Sequence, residues 1–172
     1  MFRPIAAAAA LALLASPATA GEAGDLARAA LYSGDLEGGI ERLEPLAAVM
    51  DAEAIFGTGL IRFVQAIEHF AQGLYRYGLA APDTGPMGPP IAMPVPANAD
   101  PEPLDYAKVR ALLEAVVDDL DRAARDLEDA GGFGDYVVTI DPLLVRIDVN
   151  GDGAAEETET IERVFQQALG MP

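Results

Sequence analysis

The sequence contains no cysteine and a single histidine, His69. Without thiols there is no disulfide, no thiolate-held metal and no lipid attached at a cleavage-site cysteine. A lone histidine also leaves no framework for zinc or another transition metal. It lies between Glu68 and Phe70 in a helical stretch, with no cysteine or serine elbow beside it, which reads as a helix residue rather than a catalytic base. Basic side chains are scarce too, 11 Lys and Arg against 28 Asp and Glu, for a net charge of −17. Such a field repels phosphate backbones and anionic lipid, so nucleic acid and membrane surfaces are excluded as expected partners, while cations and basic partners are favoured. Beyond the N terminus, no segment approaches the roughly twenty uninterrupted apolar residues that a membrane helix needs.

What is present begins with an address. One positive charge in Met1-Phe2-Arg3-Pro4 precedes the apolar run Ile5 to Ala15, and Ser16-Pro17-Ala18-Thr19-Ala20 follows. That order is a signal peptide, with small residues where a signal peptidase cuts. Residues 1–20 are therefore expected to be removed after Ala20, giving a periplasmic or secreted protein that begins at Gly21. Loss of Arg3 leaves 10 basic against 28 acidic residues, a net −18. The remaining length suffices for one core, so residues 21–172 read as a single domain.

From Gly21 to Ala80 the periodicity is helical. A first segment, Asp25 to Tyr32, ends at Ser33-Gly34, and Asp35 caps a second that carries Leu36, Ile40 and Leu43 before Pro45. A third begins near Asp51, where Phe56, Leu60, Phe63, Val64, Ile67, Phe70, Ala71 and Leu74 predict a core-facing stripe. The short connection between the last two predicts an antiparallel helical hairpin. Gly34-Asp35-Leu36, Leu43-Glu44-Pro45-Leu46-Ala47, Asp51-Ala52-Glu53-Ala54 and Gly57-Thr58-Gly59-Leu60 together resemble one tetratricopeptide-type or Sel-like repeat. The resemblance covers about 30 residues and implies paired helices that approach closely on small residues and a possible protein partner. A solenoid needs at least three repeats, so one copy points to a hairpin within another bundle.

Residues 81–104 hold eight of the 13 prolines. Pro89-Pro90 and Pro94-Val95-Pro96 favour extended polyproline structure, and Met87, Ile91, Met93 and Val95 suit a strap lying across helices better than a free linker. Helical periodicity returns over Asp105 to Ala130, with Tyr106, Val109, Leu113, Val116, Leu120, Ala123 and Leu127 as the expected core face and Gly131-Gly132 as the stop. The charged remainder reads as a solvated face.

After an extended piece, Tyr136 to Ile140, comes Asp148-Val149-Asn150-Gly151-Asp152-Gly153-Ala154-Ala155-Glu156-Glu157-Thr158-Glu159. This stretch resembles an EF-hand loop. Calcium takes six to eight hard oxygens, supplied in such loops from positions one, three, five, seven, nine and twelve, with glycine at six for the turn. The resemblance assigns these to Asp148, Asn150, Asp152, the Ala154 carbonyl, Glu156 and Glu159, with Gly153 at the turn. Leu143, Leu144 and Ile147 have the spacing of a short incoming helix. Ile161, Val164, Phe165, Ala168 and Leu169 form the apolar face of an outgoing one. Ala155 stands at position eight, where the family carries a branched apolar residue that pairs with a second hand, and no second loop is present. A lone hand implies a structural site of modest affinity, with dissociation constants on the order of 10⁻⁴ to 10⁻³ M. A lanthanide would use the same oxygens.

The whole predicts a mainly α helical bundle built on a hairpin, with a proline-rich strap and a C-terminal EF-hand-like loop and helix. Its expected role is calcium-dependent structural or protein-interaction work, through the hairpin or the C-terminal helix, and not catalysis. A carboxylate-dependent hydrolase is the alternative, although no particular pair of carboxylates stands out.

Overall fold

The computed structural model describes residues 21–79, 95–132 and 134–168. The expected signal peptide, most of the proline-rich segment and Leu169 lie outside the described residues. The fold is mainly α, as the periodicity predicts.

Helix α1 (Glu22–Ser33) ends where Gly34 turns left-handed at φ 77°, its N–H donating to the Ala30 carbonyl at 2.9 Å. Glycine reaches that conformation without a Cβ penalty. Asp35 then caps α2 (Leu36–Ala47), accepting the Gly38 N–H at 3.2 Å. This helix continues two residues beyond Pro45 instead of stopping before it. Glu41 and Pro45 are both exposed, so the Glu41 carbonyl that loses its donor remains open to solvent. Asp51 caps α3 (Ala52–Arg76) through the Ala54 N–H at 3.0 Å, and Asp105 caps α4 (Tyr106–Gly131) through the Lys108 N–H at 2.9 Å.

The long helix α3 is the central element. The expected pairing of α2 with α3 is present, α1 packs on both, and α4 runs along the other side of α3. The direction of α4 is antiparallel: Gly59, early in α3, meets Leu127, late in α4, and Gly73 meets Leu112. Being covered on two sides, α3 buries small residues rather than a single large stripe, among them Ala54, Gly57, Gly59, Ala66, Ala71 and Gly73. A Cβ on Gly57 would stand 2.9 Å from the Ala27 Cβ, and one on Gly59 2.9 Å from the Leu127 Cγ. Ile61 is fully buried between α1 and α2, whereas Phe63 of the expected stripe is exposed.

Helix α4 differs from the sequence expectation in its rotation. Ala123 and Ala130 are buried and Leu112, Val116 and Leu127 half-buried, while Tyr106, Val109, Leu113 and Leu120 face outward with Val117. The sequence carries two overlapping apolar stripes, and the one containing the smaller residues takes the close contact with α3.

The described end of the strap caps α3. Val95 is buried, Asn98 Nδ2 donates to the Tyr75 carbonyl at 3.1 Å, and the Glu102 N–H donates to the Arg76 carbonyl at 2.9 Å. These satisfy carbonyls that a helix C terminus leaves without partners. After α4 the chain has no regular secondary structure over residues 134–141, then makes a 3-10 turn at Pro142–Leu144. The expected incoming helix is this single turn. Val145, Ile147 and Val149 follow it as buried apolar residues at every second position, with Asp148 also buried between the last two, and Arg146 forms one antiparallel bridge with Thr160 just before α5 (Ile161–Ala168). Of the expected apolar face of α5, Ile161 and Val164 pack against the core.

Candidate metal site

The loop 148–159 is held at both ends by backbone pairing: the Ile147 N–H donates to the Glu159 carbonyl at 3.0 Å and the Ile161 N–H to Val145 at 2.9 Å. It docks on the helical body through two neighbours. The Arg146 N–H donates to the Leu31 carbonyl at the end of α1, at 2.9 Å, and Ala155 packs on Gly34, where there is no room for a side chain. Ala155 at position eight therefore meets the α1–α2 turn, in the place where an EF-hand would meet a second hand.

Helix α3 grips Asp148, the first of the sequence-assigned positions, from the other side. Glu68 Oε2 accepts the Asp148 N–H at 2.7 Å, and Gln72 Nε2 donates to the Asp148 carbonyl at 2.9 Å. One helical turn separates Glu68 from Gln72, so a single face of α3 satisfies both backbone groups of a buried residue. The sequence offers no signal for this pair.

Within the loop, acidic side chains turn inward onto backbone N–H groups. Asp148 Oδ1 accepts from Gly151 at 2.7 Å and its Oδ2 from Gly153 at 2.9 Å. Asn150 Oδ1 accepts from Asp152 at 2.8 Å, and Asp152 Oδ1 from Ala154 at 3.0 Å. Glu159 closes the ring, its Oε1 accepting from Val149 at 3.3 Å and its Oε2 from Glu156 at 2.9 Å. Gly151 and Gly153 hold φ of 74° and 92°, which only glycine adopts without strain. Asp148 and Glu159 are each 8% exposed. Asn150 is half-buried, and Asp152, Ala154 and Glu156 are exposed at the rim.

Among the described residues, no group of three or more His, Cys, Asp or Glu side chains converges as metal ligands do. The six sequence-assigned positions thus share one loop, with two oxygen donors buried and the others spread along its outer edge. Asn150 Nδ2 donates to Asp152 Oδ2 at 3.1 Å, so part of the rim is closed upon itself. The donor chemistry still suits a hard cation. Each carboxylate oxygen engaged by one N–H keeps a second lone pair, and the amide, carboxylate and carbonyl oxygens are the types calcium takes.

Electrostatics point the same way. Burial pushes the Glu159 carboxyl above the ordinary carboxylate range; the Glu156 and Val149 N–H groups hold it down, and the charges of Asp148 and Asp152 push it further up. Burial likewise raises Glu68, opposed by the Asp148 N–H, with Asp148 adding to the rise, His69 opposing it and Glu159 adding again. The charges of Glu68, Asp148, Asp152 and Glu159 thus act on one another across the contact between α3 and the loop, and a cation there would relieve both the burial and the repulsion.

No protein family, curated protein or solved structure matches this chain. His69 Nδ1 meets Asp119 Oδ2 at 2.8 Å and Arg122 donates to the same carboxylate at 2.6 Å, so the histidine serves the α3–α4 contact. A 390 Å³ cavity between α2, α3 and α4 brings Glu44, Asp126 and Asp129 together, with Arg62 paired to Asp126. On the outer face of α4, Tyr106, Val109, Leu113 and Val117 line a shallow groove of 360 Å³.

Proposed function

We propose that this chain is an exported calcium-binding helical protein. Asp148, Asn150, Asp152, the Ala154 carbonyl, Glu156 and Glu159 hold one Ca²⁺, and the ion fastens the loop and α5 to the helical body. The carrying observation is the inward turn of Asp148 and Glu159, the first and last ligand positions, onto the N–H groups of the same loop. That arrangement keeps two buried carboxylates at the centre of an otherwise hydrated ring, where a divalent cation gains most and the protein loses least. The grip of Glu68 and Gln72 on Asp148 makes the site part of the core, which suits a structural ion better than a switch. A lanthanide would take the same oxygens and belongs among the ions tested. The role is structural, with protein interaction as its second component, and the apolar outer face of α4 supports the latter.

Calorimetric titration of the metal-free protein with calcium, beside an Asp148→Ala, Glu159→Ala double variant, tests this. One saturable site and a raised melting temperature, both lost in the variant, are expected. Equal heats from both proteins would make the loop a simple helix cap and end the calcium reading.

A further inference from the structure

Glu53, in the first turn of α3, is 8% exposed and belongs to none of the ion pairs among the described residues. A buried carboxylate without a counter-charge is costly. Its Oε1 accepts one hydrogen bond, from the nitrogen of Gly21 at 2.8 Å. Residue 21 is also the one that the expected signal-peptide cleavage would leave first.

The recess is shaped for this contact. A Cβ on Gly21 would run into Glu53 Oε2, and a Cβ on Gly24 would stand 2.7 Å from Glu53 Oε1 and 3.1 Å from Val138 Cγ2. Two glycines in the first turn of α1 thus leave room for one carboxylate from α3. The Tyr136 hydroxyl, pushed up first by burial and then by the Glu53 charge, marks the same pocket as negative. Where the Ala20–Gly21 bond is intact, the Gly21 nitrogen is an amide and brings no charge. Hydrolysis of that bond leaves a carboxylate on Ala20 and an amine on Gly21, which takes up a proton at neutral pH.

We propose that Glu53 is the receptor for the α-ammonium of Gly21, so that removal of the leader creates an ion pair joining α1 to α3 and completes the fold only after processing. The inference rests on the exported reading above and adds the use to which the new terminus is put. A charged donor makes a stronger hydrogen bond than the amide it replaces. The folding equilibrium therefore shifts by about tenfold in favour of the processed chain.

The test has two separable steps. First, the full chain is expressed in a bacterial host and its N terminus sequenced; retention of Met1 overturns the export reading, and a processed start at any residue other than Gly21 overturns this inference alone. Second, the amine is acetylated in denaturant in a Lys108→Arg background, Lys108 being the sequence's one lysine, and the protein is refolded. Acetyl-Gly21 keeps an N–H donor and loses the charge. Acetylation is expected to lower the melting temperature by about 4 °C and to have no effect in Glu53→Gln. In the folded unmodified protein, Gly21 should react with acetylating reagent several-fold more slowly than in Glu53→Gln, with Lys108 as internal reference. An unchanged melting temperature on acetylation, or equal amine reactivity with and without Glu53, would show that the carboxylate only caps a helix and would overturn the proposal.

Discussion

At the scale of single residues, the loop and α3 are coupled through Glu68. Its carboxylate holds the Asp148 N–H, yet stands close enough to Asp148 and Glu159 for their charges to raise it. Both Glu68 and Glu159 are raised above ordinary carboxylates, first by burial. A group whose folded value lies above its unfolded one binds protons more tightly when folded. Stability from these two groups therefore rises as pH falls from neutrality into the window between the raised values and the ordinary carboxylate range. In calcium-free buffer, the melting temperature should increase on moving from pH 7 towards pH 5, and Glu68→Gln should flatten that increase. A steeper increase in the variant would contradict the stated crowding. The same substitution preserves an acceptor for Asp148 while removing a charge from beside the loop. Calcium affinity should fall by a few-fold at pH 7, read by titration, with melting temperature in chelator equal to the parent or higher.

At the scale of elements, α3 and α4 show what apolar patterning conveys and what it omits. The cap Asp35 and the helix starts near Asp51 and Asp105 were legible because a side-chain acceptor before an amphipathic run has one local job. So were the stops at Gly34 and Gly131-Gly132. The partner of each face was not legible. Helix α4 carries two overlapping apolar stripes, and only the depth of contact at Gly59 and Gly73 selects the one containing Leu112, Ala123 and Leu127. The incoming helix before the loop was misread for a related reason: Leu143 and Leu144 suggested a helical step, whereas they are exposed and the buried apolar residues Val145, Ile147 and Val149 recur with a period of two. These assignments can be tested by opposite substitutions. Gly59→Val should cost about 1–3 kcal/mol in urea unfolding, because its side chain would drive into Leu127 and Asp126 at a packed crossing. Leu113→Glu should change stability by no more than about 0.5 kcal/mol, being half exposed on the outer face. A large loss from Leu113→Glu would mean that the outer face of α4 is covered in solution.

At the scale of the whole molecule, residues 134–168 join the helical body through the shared core, where Val145, Ile147 and Val149 are buried, and through polar contacts on both sides of and within the loop. The Arg146 N–H reaches Leu31, Tyr32 Oη accepts the Asp141 N–H at 2.8 Å, Ala155 rests on Gly34, and Glu68 with Gln72 holds Asp148. The candidate loop positions were named from residue types at spacings. Their anchorage was not, since Glu68, Gln72 and Gly34 lie more than seventy residues away in sequence and carry no motif. A cation at the loop would act on this whole attachment, because it binds the folded arrangement and not the unfolded chain. With a dissociation constant of about 10⁻⁴ to 10⁻³ M, 10 mM calcium should add roughly 1.4 to 2.7 kcal/mol. For a chain of this length that is a rise of about 3–10 °C in melting temperature. Limited proteolysis should show the same dependence spatially: in chelator, cleavage concentrates in 148–160 and leaves α1 to α4 intact, and calcium suppresses it. Protection by calcium that is equal at every site would instead mean that the ion stabilises the molecule as a single cooperative unit, with the loop no weaker than the helices it joins.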